Sequence, residues 1–415
     1  MFGLRKTIVS RSLQSSLKPK PIPSWNPKQT FGKDVISVLA VETSADDTCA
    51  AVVTSDRRIL SNVVIRQDEF HRPLGGIQPY VAIEAHQRNL PSAVSQALEE
   101  ARLRVQDVDG IAFTRGPGMP GCLSVGSNAM KTLASVLKKP MIGVHHMYAH
   151  ALTPFLTEPA DSQPSYPFIS LLLSGGHSLI LLALSPREFQ ILGSTRDEPV
   201  GRTYDKVARR IGIPWGDRGL GASLEEYVRK GPPAGYDESV SHEIPHYATP
   251  MLGTFQFAFA NYHSATEQFM TVRNGEIDEH TRYAVASAFQ TAIAKQLEYK
   301  IRKALEHCKS KRISIGHIVA SGGVASNMFL RERQVSESLD KEGYKSVQLV
   351  YPPPSLCTDN AAMIAWAAMG PLTAGQTDPP ETELVPKWSI EDLDTAPNKG
   401  PLPKWQELEP HTTTS

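Results

Sequence analysis

The side chains whose types and spacing most directly suggest chemistry lie in the run His145-His146-Met147-Tyr148-Ala149-His150. On a helix, positions four apart share one face, so the imidazoles of His146 and His150 can reach one metal ion. Nitrogen and oxygen ligands without thiolate suit zinc, iron or manganese, and spacing does not choose among them. The competing reading is a polar helix start whose histidines cap backbone groups. A metalloprotease helix reads H-E-x-x-H, with Glu as general base after the first ligand. Met147 stands in that place, so peptide hydrolysis by that route has no support.

Acidic and glycine-bearing turns come next. Asp46 and Asp47 lie in a turn between two apolar runs, where aspartates commonly satisfy local backbone donors. Asp359 precedes a helical stretch and reads either as an N-cap or as a carboxylate ligand beside the histidines. Asp205 reads as a salt-bridged surface residue or as a ribose acceptor. Gly116-Pro117-Gly118, Gly175-Gly176 and Gly322-Gly323 each follow an apolar strand, and glycine lets backbone N–H groups approach a phosphate or ribose. None has Walker or Rossmann spacing. Three in one chain point to a nucleotide held between two lobes, and the run from Ser321 to Asn327 enters a helix whose N–H groups and Asn327 can meet it.

Strands and helices must position these groups. The stretches 35–53 and 168–184 both read strand, turn, strand, which hints at a duplicated architecture. Helices are predicted over 82–103 and 122–138, each followed by a short strand (IAFTR, MIGVH). Further helices are predicted over 203–211, 222–229, 281–308 and 360–369, a strand at HIVAS, and irregular chain over 231–262. Alternating strands and helices imply an α/β fold. The 415 residues suffice for two lobes, and 43 basic residues balance 43 acidic ones, so any RNA contact needs a local basic face. Arg202, Lys206, Arg209 and Arg210 form one such cluster. Lys300, Arg302, Lys303, Lys309, Lys311 and Arg312 form another, which also reads as a solvated helix face. Four scattered cysteines without a C-x-x-C pair argue against a disulfide framework and a cysteine-rich zinc site. Residues 1–33 hold basic side chains and no acid, as in a matrix-targeting peptide. The longest apolar run is interrupted by Ser174-Gly175-Gly176-His177-Ser178, so no membrane span is expected.

In order, VETSADDT, GGIQP, TRGPGMPG, VHHMYAH, LLLSGGHS, YDK, SGGVASN and CTDNAAMIA, with a late Pro386-Lys387-Trp388, resemble the tRNA N6-adenosine threonylcarbamoyltransferase family, once labelled O-sialoglycoprotein endopeptidases. The resemblance runs over residues 36 to 395. It implies a two-lobed actin-like, sugar-kinase-like, Hsp70-like ATPase fold with duplicated mixed-sheet domains. The expected division is a mitochondrial targeting segment at 1–34, lobe I at 35–144 completed by 360–395, lobe II at 145–359, and a flexible tail at 396–415, with the site at the lobe interface. The implied reaction moves threonylcarbamoyl from threonylcarbamoyl-AMP to N6 of the adenosine 3′ of the anticodon, in mitochondrial tRNAs reading ANN codons, with release of AMP.

By motif, the resemblance makes His146, His150 and Asp359 the ligands of one divalent metal ion per subunit. Leu172, Leu173, Ser174, Gly175 and Gly176 would touch the adenylate. Asp205, Gly221, Glu225, Ser326 and Asn327 would hold its ribose and base, with Thr358 beside the metal ligand. Asp46 and Asp47 are the candidates for steering the amine or accepting its proton. The implied partners are tRNA, an upstream synthase that supplies the adenylate, and a second copy of the chain in a homodimer; the implied place is the mitochondrial matrix. The sequence departs from the family pattern at Ala45 and Asp47, where Cys and Glu are usual, so a nucleophilic cysteine is excluded there. It departs again over 79–84, in the turn Trp215 to Ala222, and over Phe257 to Ser264, where a family lysine is missing. A small-molecule kinase of the same fold class would use the same lobes and glycine turns without needing the paired histidines.

Overall fold

The computed structural model describes residues 27–74, 76–237, 244–333, 344 and 346–394. The targeting segment assigned to 1–34 lies outside these residues for all but its last positions, and the tail assigned to 396–415 lies wholly outside them.

Two five-stranded sheets form the frame. The first comprises β1 (Ser37–Glu42), β2 (Thr48–Thr54), β3 (Ile59–Ile65), β4 (Gly110–Gly116) and β5 (Met141–His145), in the order β3-β2-β1-β4-β5. The second comprises β6 (Phe168–Leu173), β7 (Ser178–Ser185), β8 (Glu188–Ser194), β9 (His317–Ser321) and β10 (Gln348–Val350), in the order β10-β9-β6-β7-β8. Read from the other edge, the second order repeats the first. The directions match too. In each sheet the first three strands in sequence form an antiparallel meander, and the last two join it in parallel. This duplicated mixed sheet is the two-lobed actin-like ATPase arrangement expected above.

Strands β1, β2, β4 and β6 are buried along their whole length, as suits largely apolar strands covered on both faces. The longer helices are α1 (Pro79–Ala101), α2 (Pro120–Leu137), α3 (His146–Thr157), α4 (Val200–Arg210), α5 (Leu220–Arg229), α6 (Ala260–Val272), α7 (Glu279–Ser310) and α8 (Ala361–Thr373). Helices α1 and α2 each begin on a proline, whose missing N–H is no loss in a first turn. They cover one face of the first sheet through Leu90, Ala93, Ala97, Met130 and Ala134. Helix α8 is apolar on nearly every face because it is buried on nearly every face. It packs on β1, β2, β4 and β5 and on α3. One core cluster runs from α8 and α3 into Leu172, Leu181 and Val319 of the second sheet, so the two lobes share packed apolar surface.

The structure adds what the sequence pattern did not announce. Strands β3, β8 and β10 lie at or beside sheet edges, and β3 is interrupted by Ser61 and Asn62. Helix α6 starts inside the stretch read as irregular and buries Tyr262, Thr266, Phe269 and Met270 on one helical stripe. All four cysteines are buried and free. No described helix is long and apolar enough to cross a membrane.

Candidate metal and nucleotide site

Strand β5 ends on His145, and the chain turns directly into α3. The His145 side chain is the helix cap, accepting from the Tyr148 N–H at 3.3 Å. The capping role therefore falls to His145 alone, leaving His146 and His150 on one buried face of the first turns. Their rings lie 4.8 Å apart, centroid to centroid, at 86°. Asp359 is likewise not a cap: the adjacent Asn360 caps α8 by accepting from the Met363 N–H at 3.0 Å.

The two imidazoles are held in the same manner. His146 Nδ1 meets Glu42 Oε2 at 3.1 Å, and His150 Nδ1 meets Ser321 Oγ at 3.2 Å. With each Nδ1 occupied by an outer partner, the Nε2 atoms face Asp359 Oδ1, at 3.6 Å from His146 and 3.1 Å from His150. One ligand atom from each of the three residues lies within 4.8 Å of the others. A metal-binding imidazole nearly always gives its second nitrogen to a carboxylate, hydroxyl or carbonyl, which sets its tautomer and aim. The donor set and its outer partners fit a divalent ion held by nitrogen and oxygen.

The electrostatics are those of charges collected in a dry place. Burial disfavours a charged His146, yet Asp359 and Glu42 outweigh it and raise the imidazole to about 9. Burial pushes the Asp359 carboxyl up, but His146 and His150 hold it well below the usual range. Glu42 is also lowered: burial opposes its charge, and His146 more than compensates. Burial pushes His150 down. Glu42 accepts further from the Ser44 N–H and the Thr114 hydroxyl, so a carboxylate only 1% exposed is fully partnered.

Beside this triad lies a cavity of about 720 Å³. Asp46, Gly175, Asp205, Gly221, Glu225, Ser326, Asn327 and Thr358 all line it, drawn from the turn after β1, the loop after β6, α4, α5 and the segments flanking α8 and β9. Asp205 Oδ1 accepts from the Gly221 N–H at 2.9 Å, so α4 and the start of α5 are tied at the wall. Glu225 accepts from the Met328 N–H at 2.6 Å, and Asn327 donates to Gln290 Oε1 at 3.2 Å. Burial raises Asp205 to about 6 and also raises Glu225. Asp46 is raised to about 7 by burial and then by Asp359 and Asp68; Asp47 is pushed well above the usual carboxylate range by burial, Asp46 and Asp359.

Other residues singled out from the sequence lie elsewhere. Asp47 does not line the cavity, and Leu172 and Leu173 point into the packed cores. Ser174 accepts from the N–H groups of Gly176 and His177, at 3.2 and 3.0 Å, and so shapes the loop. Gly322 is a glycine for a steric reason. Its φ is +95°, and a Cβ there would sit 2.5 Å from the Leu173 carbonyl oxygen. That close approach brings the end of β9, with Ser321, against the end of β6.

Sequence reasoning passed over Glu42 and Ser321, which aim the two imidazoles, and Arg66 and Arg218, which line the cavity. The signal for Glu42 was present: a carboxylate closing a fully apolar strand must have a buried partner. The first basic cluster is partly neutralised, since Lys206 pairs with Glu198, and Arg210 with Glu267 at 2.7 Å. In the second, Lys300 is no solvated side chain; it is buried and donates to the Met251 and Thr254 carbonyls at 2.7 and 3.1 Å.

Two sheets of repeated strand order, with a cavity lined by segments of both and a histidine–carboxylate triad, define an α/β protein of the actin-like ATPase class. A family model described as TsaD, tRNA N6-adenosine threonylcarbamoyltransferase, matches residues 58–366. An Arabidopsis thaliana protein described as a probable mitochondrial tRNA N6-adenosine threonylcarbamoyltransferase is 36% identical over 372 residues, covering 87% of this chain and 74% of the relative. The chain belongs to the tRNA N6-adenosine threonylcarbamoyltransferase family and is an enzyme of the carbamoyltransferase type. Among solved structures, an activator of 2-hydroxyisocaproyl-CoA dehydratase from Clostridium difficile, with bound ADPNP, matches with a TM-score of 0.43 and 13% identity, over 82% of this chain and 96% of that one. A Pseudomonas aeruginosa protein described as similar to peptidase YeaZ matches with a TM-score of 0.26 and 19% identity, over 38% of this chain and 63% of that one.

Proposed function

We propose that the chain transfers threonylcarbamoyl from threonylcarbamoyl-AMP to N6 of the adenosine 3′ of the anticodon, in mitochondrial tRNAs that read ANN codons, and releases AMP. The observation that carries this reading is the convergence of His146, His150 and Asp359 beside the 720 Å³ cavity. His146, His150 and Asp359 would hold one divalent ion, which would neutralise negative charge near the leaving phosphate. Zinc, iron and manganese all suit these donors.

The donor is a mixed anhydride, so its carbonyl carbon is already activated. The adenine N6 attacks that carbon, the N6–C bond forms, and the C–O bond to phosphate breaks, with its electron pair leaving on AMP. One N6 proton must be removed. Asp46, at the cavity wall and raised to about 7, is matched to that task, because a base is most effective when its pKa lies near the working pH. Asp47, whose carboxyl is pushed well above the usual carboxylate range by burial and by Asp46, is the second candidate for steering the amine. Asp205 accepts from the ribose, Gly221, Glu225, Ser326 and Asn327 hold ribose and base, and Thr358 sits beside Asp359. The backbone of the loop from Leu172 to Gly176 approaches the acyl phosphate. Because N6 is a weak nucleophile, positioning and charge stabilisation supply most of the rate.

Residues 35–144, completed by 360–395, form one lobe in this reading and 145–359 the other, with substrates bound between them. A synthase upstream supplies the adenylate, two copies of the chain form a homodimer, and the basic leader at 1–34 directs the protein to the mitochondrial matrix. The decisive experiment is incubation of the protein with threonylcarbamoyl-AMP and unmodified tRNA, followed by nucleoside mass spectrometry. Modified nucleoside is expected with the wild type and lost with His146→Ala and His150→Ala. Equal product from those variants would overturn the metal-dependent reading. Full single-turnover activity in Asp46→Asn would remove Asp46 as the proton acceptor.

A further inference from the structure

A second cavity, of about 400 Å³, opens on the other side of the loop that follows β6. Pro117, Met147, His177, Ile191, Lys387 and Trp388 are among its walls. The loop acts as a partition: Gly175 lines the larger cavity and His177 the smaller. The triad is flanked in the same way. Thr358, next to Asp359, lines the larger cavity, and Met147, next to His146, lines the smaller. The His177 ring lies 6.4 Å from that of His146. The two volumes share no wall residue, and each comes near the triad through a neighbour of one of its members.

Transfer between two large substrates calls for this arrangement, since donor and acceptor must meet at one point while occupying different space. We propose that the smaller cavity seats the acceptor adenine of the RNA, with N6 directed past the Gly175–His177 loop towards the donor and Asp46 in the larger cavity, an assignment that rests on the transferase reading above. Its chemistry suits a nucleobase. Trp388, Met147, Ile191 and Pro117 offer apolar faces against which a purine can stack, as single-stranded bases do on aromatic side chains. The indole is braced from behind, 4.7 Å from the His145 ring and 5.4 Å from the Arg115 guanidinium. Lys387 is exposed at the rim and forms no ion pair with a described residue, which leaves it for a phosphate flanking the flipped base. The volume falls within the usual range for ligand pockets, about 300–1,000 Å³.

The test uses the full-length protein and two variants, Lys387→Ala and Ile191→Trp, the second of which fills the cavity. KM for tRNA is expected to rise about tenfold in each, and the salt dependence of tRNA binding to flatten in Lys387→Ala. AMP affinity, measured by calorimetry, is expected to stay at the wild-type value, because the larger cavity is untouched. Should Ile191→Trp fail to fold, the exposed Lys387→Ala decides alone. An active enzyme whose Lys387→Ala variant keeps its KM for tRNA overturns the assignment, and so does a loss of AMP affinity equal to the loss for tRNA. A wild type that modifies no tRNA overturns the transferase reading, and this site with it.

Discussion

Glu42 Oε2 lies 3.1 Å from His146 Nδ1, across a gap of more than a hundred residues in sequence, and both side chains are buried. The carboxylate closes β1 and the imidazole opens α3, so the contact ties the first sheet to the helix that carries both histidines. Outer partners of this kind set the tautomer and raise the basicity of the nitrogen left for the ion. Glu42→Gln keeps the shape and removes the charge. Affinity for a divalent ion, measured by competition with a chelator, is expected to fall about 10–100-fold. A variant that binds metal as tightly as wild type would show that Glu42 serves only packing.

Asp359 faces both Nε2 atoms, so its loss should be felt in activity before fold. Asp359→Asn is expected to lower single-turnover rate by about 1,000-fold or more, the equivalent of several kcal/mol of charge stabilisation. Treatment of the wild type with a chelator should give the same loss, reversed by one equivalent of the correct ion. Circular dichroism would confirm that the helices remain.

Burial raises Asp205 to about 6 at the cavity wall. Its folded pKa stands above the unfolded value of 3.8, so the folded state holds more protons between those limits. Its contribution therefore makes stability fall as pH rises from about 4 to 6, and Asp205→Asn should flatten that slope in denaturant titrations. AMP binding runs the opposite way. A ribose hydroxyl donates to the carboxylate, so affinity should weaken as pH drops through about 6, and this dependence should vanish in Asp205→Asn. A binding curve that is flat between pH 5 and 7 in the wild type would place the ribose elsewhere.

Gly322 holds a left-handed conformation with the Leu173 carbonyl where a Cβ would go. Gly322→Ala combines that strain with a backbone clash. It is expected to destabilise the fold by about 1–3 kcal/mol, read as a lower melting temperature. It should also shift Ser321, and with it the aim of His150, so metal affinity should fall as well. An unchanged melting point would mean the β6–β9 junction can give way.

Arg66 and Arg218 line the large cavity from different segments, and Arg66 donates to the Asp217 carbonyl at 3.2 Å. They stand as cations at the cavity where the family's lysine is absent from the 257–264 loop. Arg218→Ala is expected to raise KM for the adenylate about tenfold while kcat changes little, as loss of uniform binding would. A fall in kcat alone would instead place the guanidinium at the reacting centre.

Much of this protein was decided along the chain itself. The largely apolar runs of β1 and β6, each followed by a polar turn and a second apolar run, already contain the repeated hairpins, because burial on both faces demands such runs. The four-residue spacing of His146 and His150 places them on one helix face by geometry alone. Edge strands such as β3 and the three-residue β10 left little trace, since an edge needs fewer apolar residues and takes its pairing from its neighbour. What the chain order could not decide was which histidine caps the helix and which carboxylate meets the other two. His145 takes the cap, Asn360 takes the cap of α8, and Asp359 is thereby freed to face both imidazoles. Those choices depend on where β5, α3 and α8 come to rest against one another, and only packing of the two sheets around a shared core sets that.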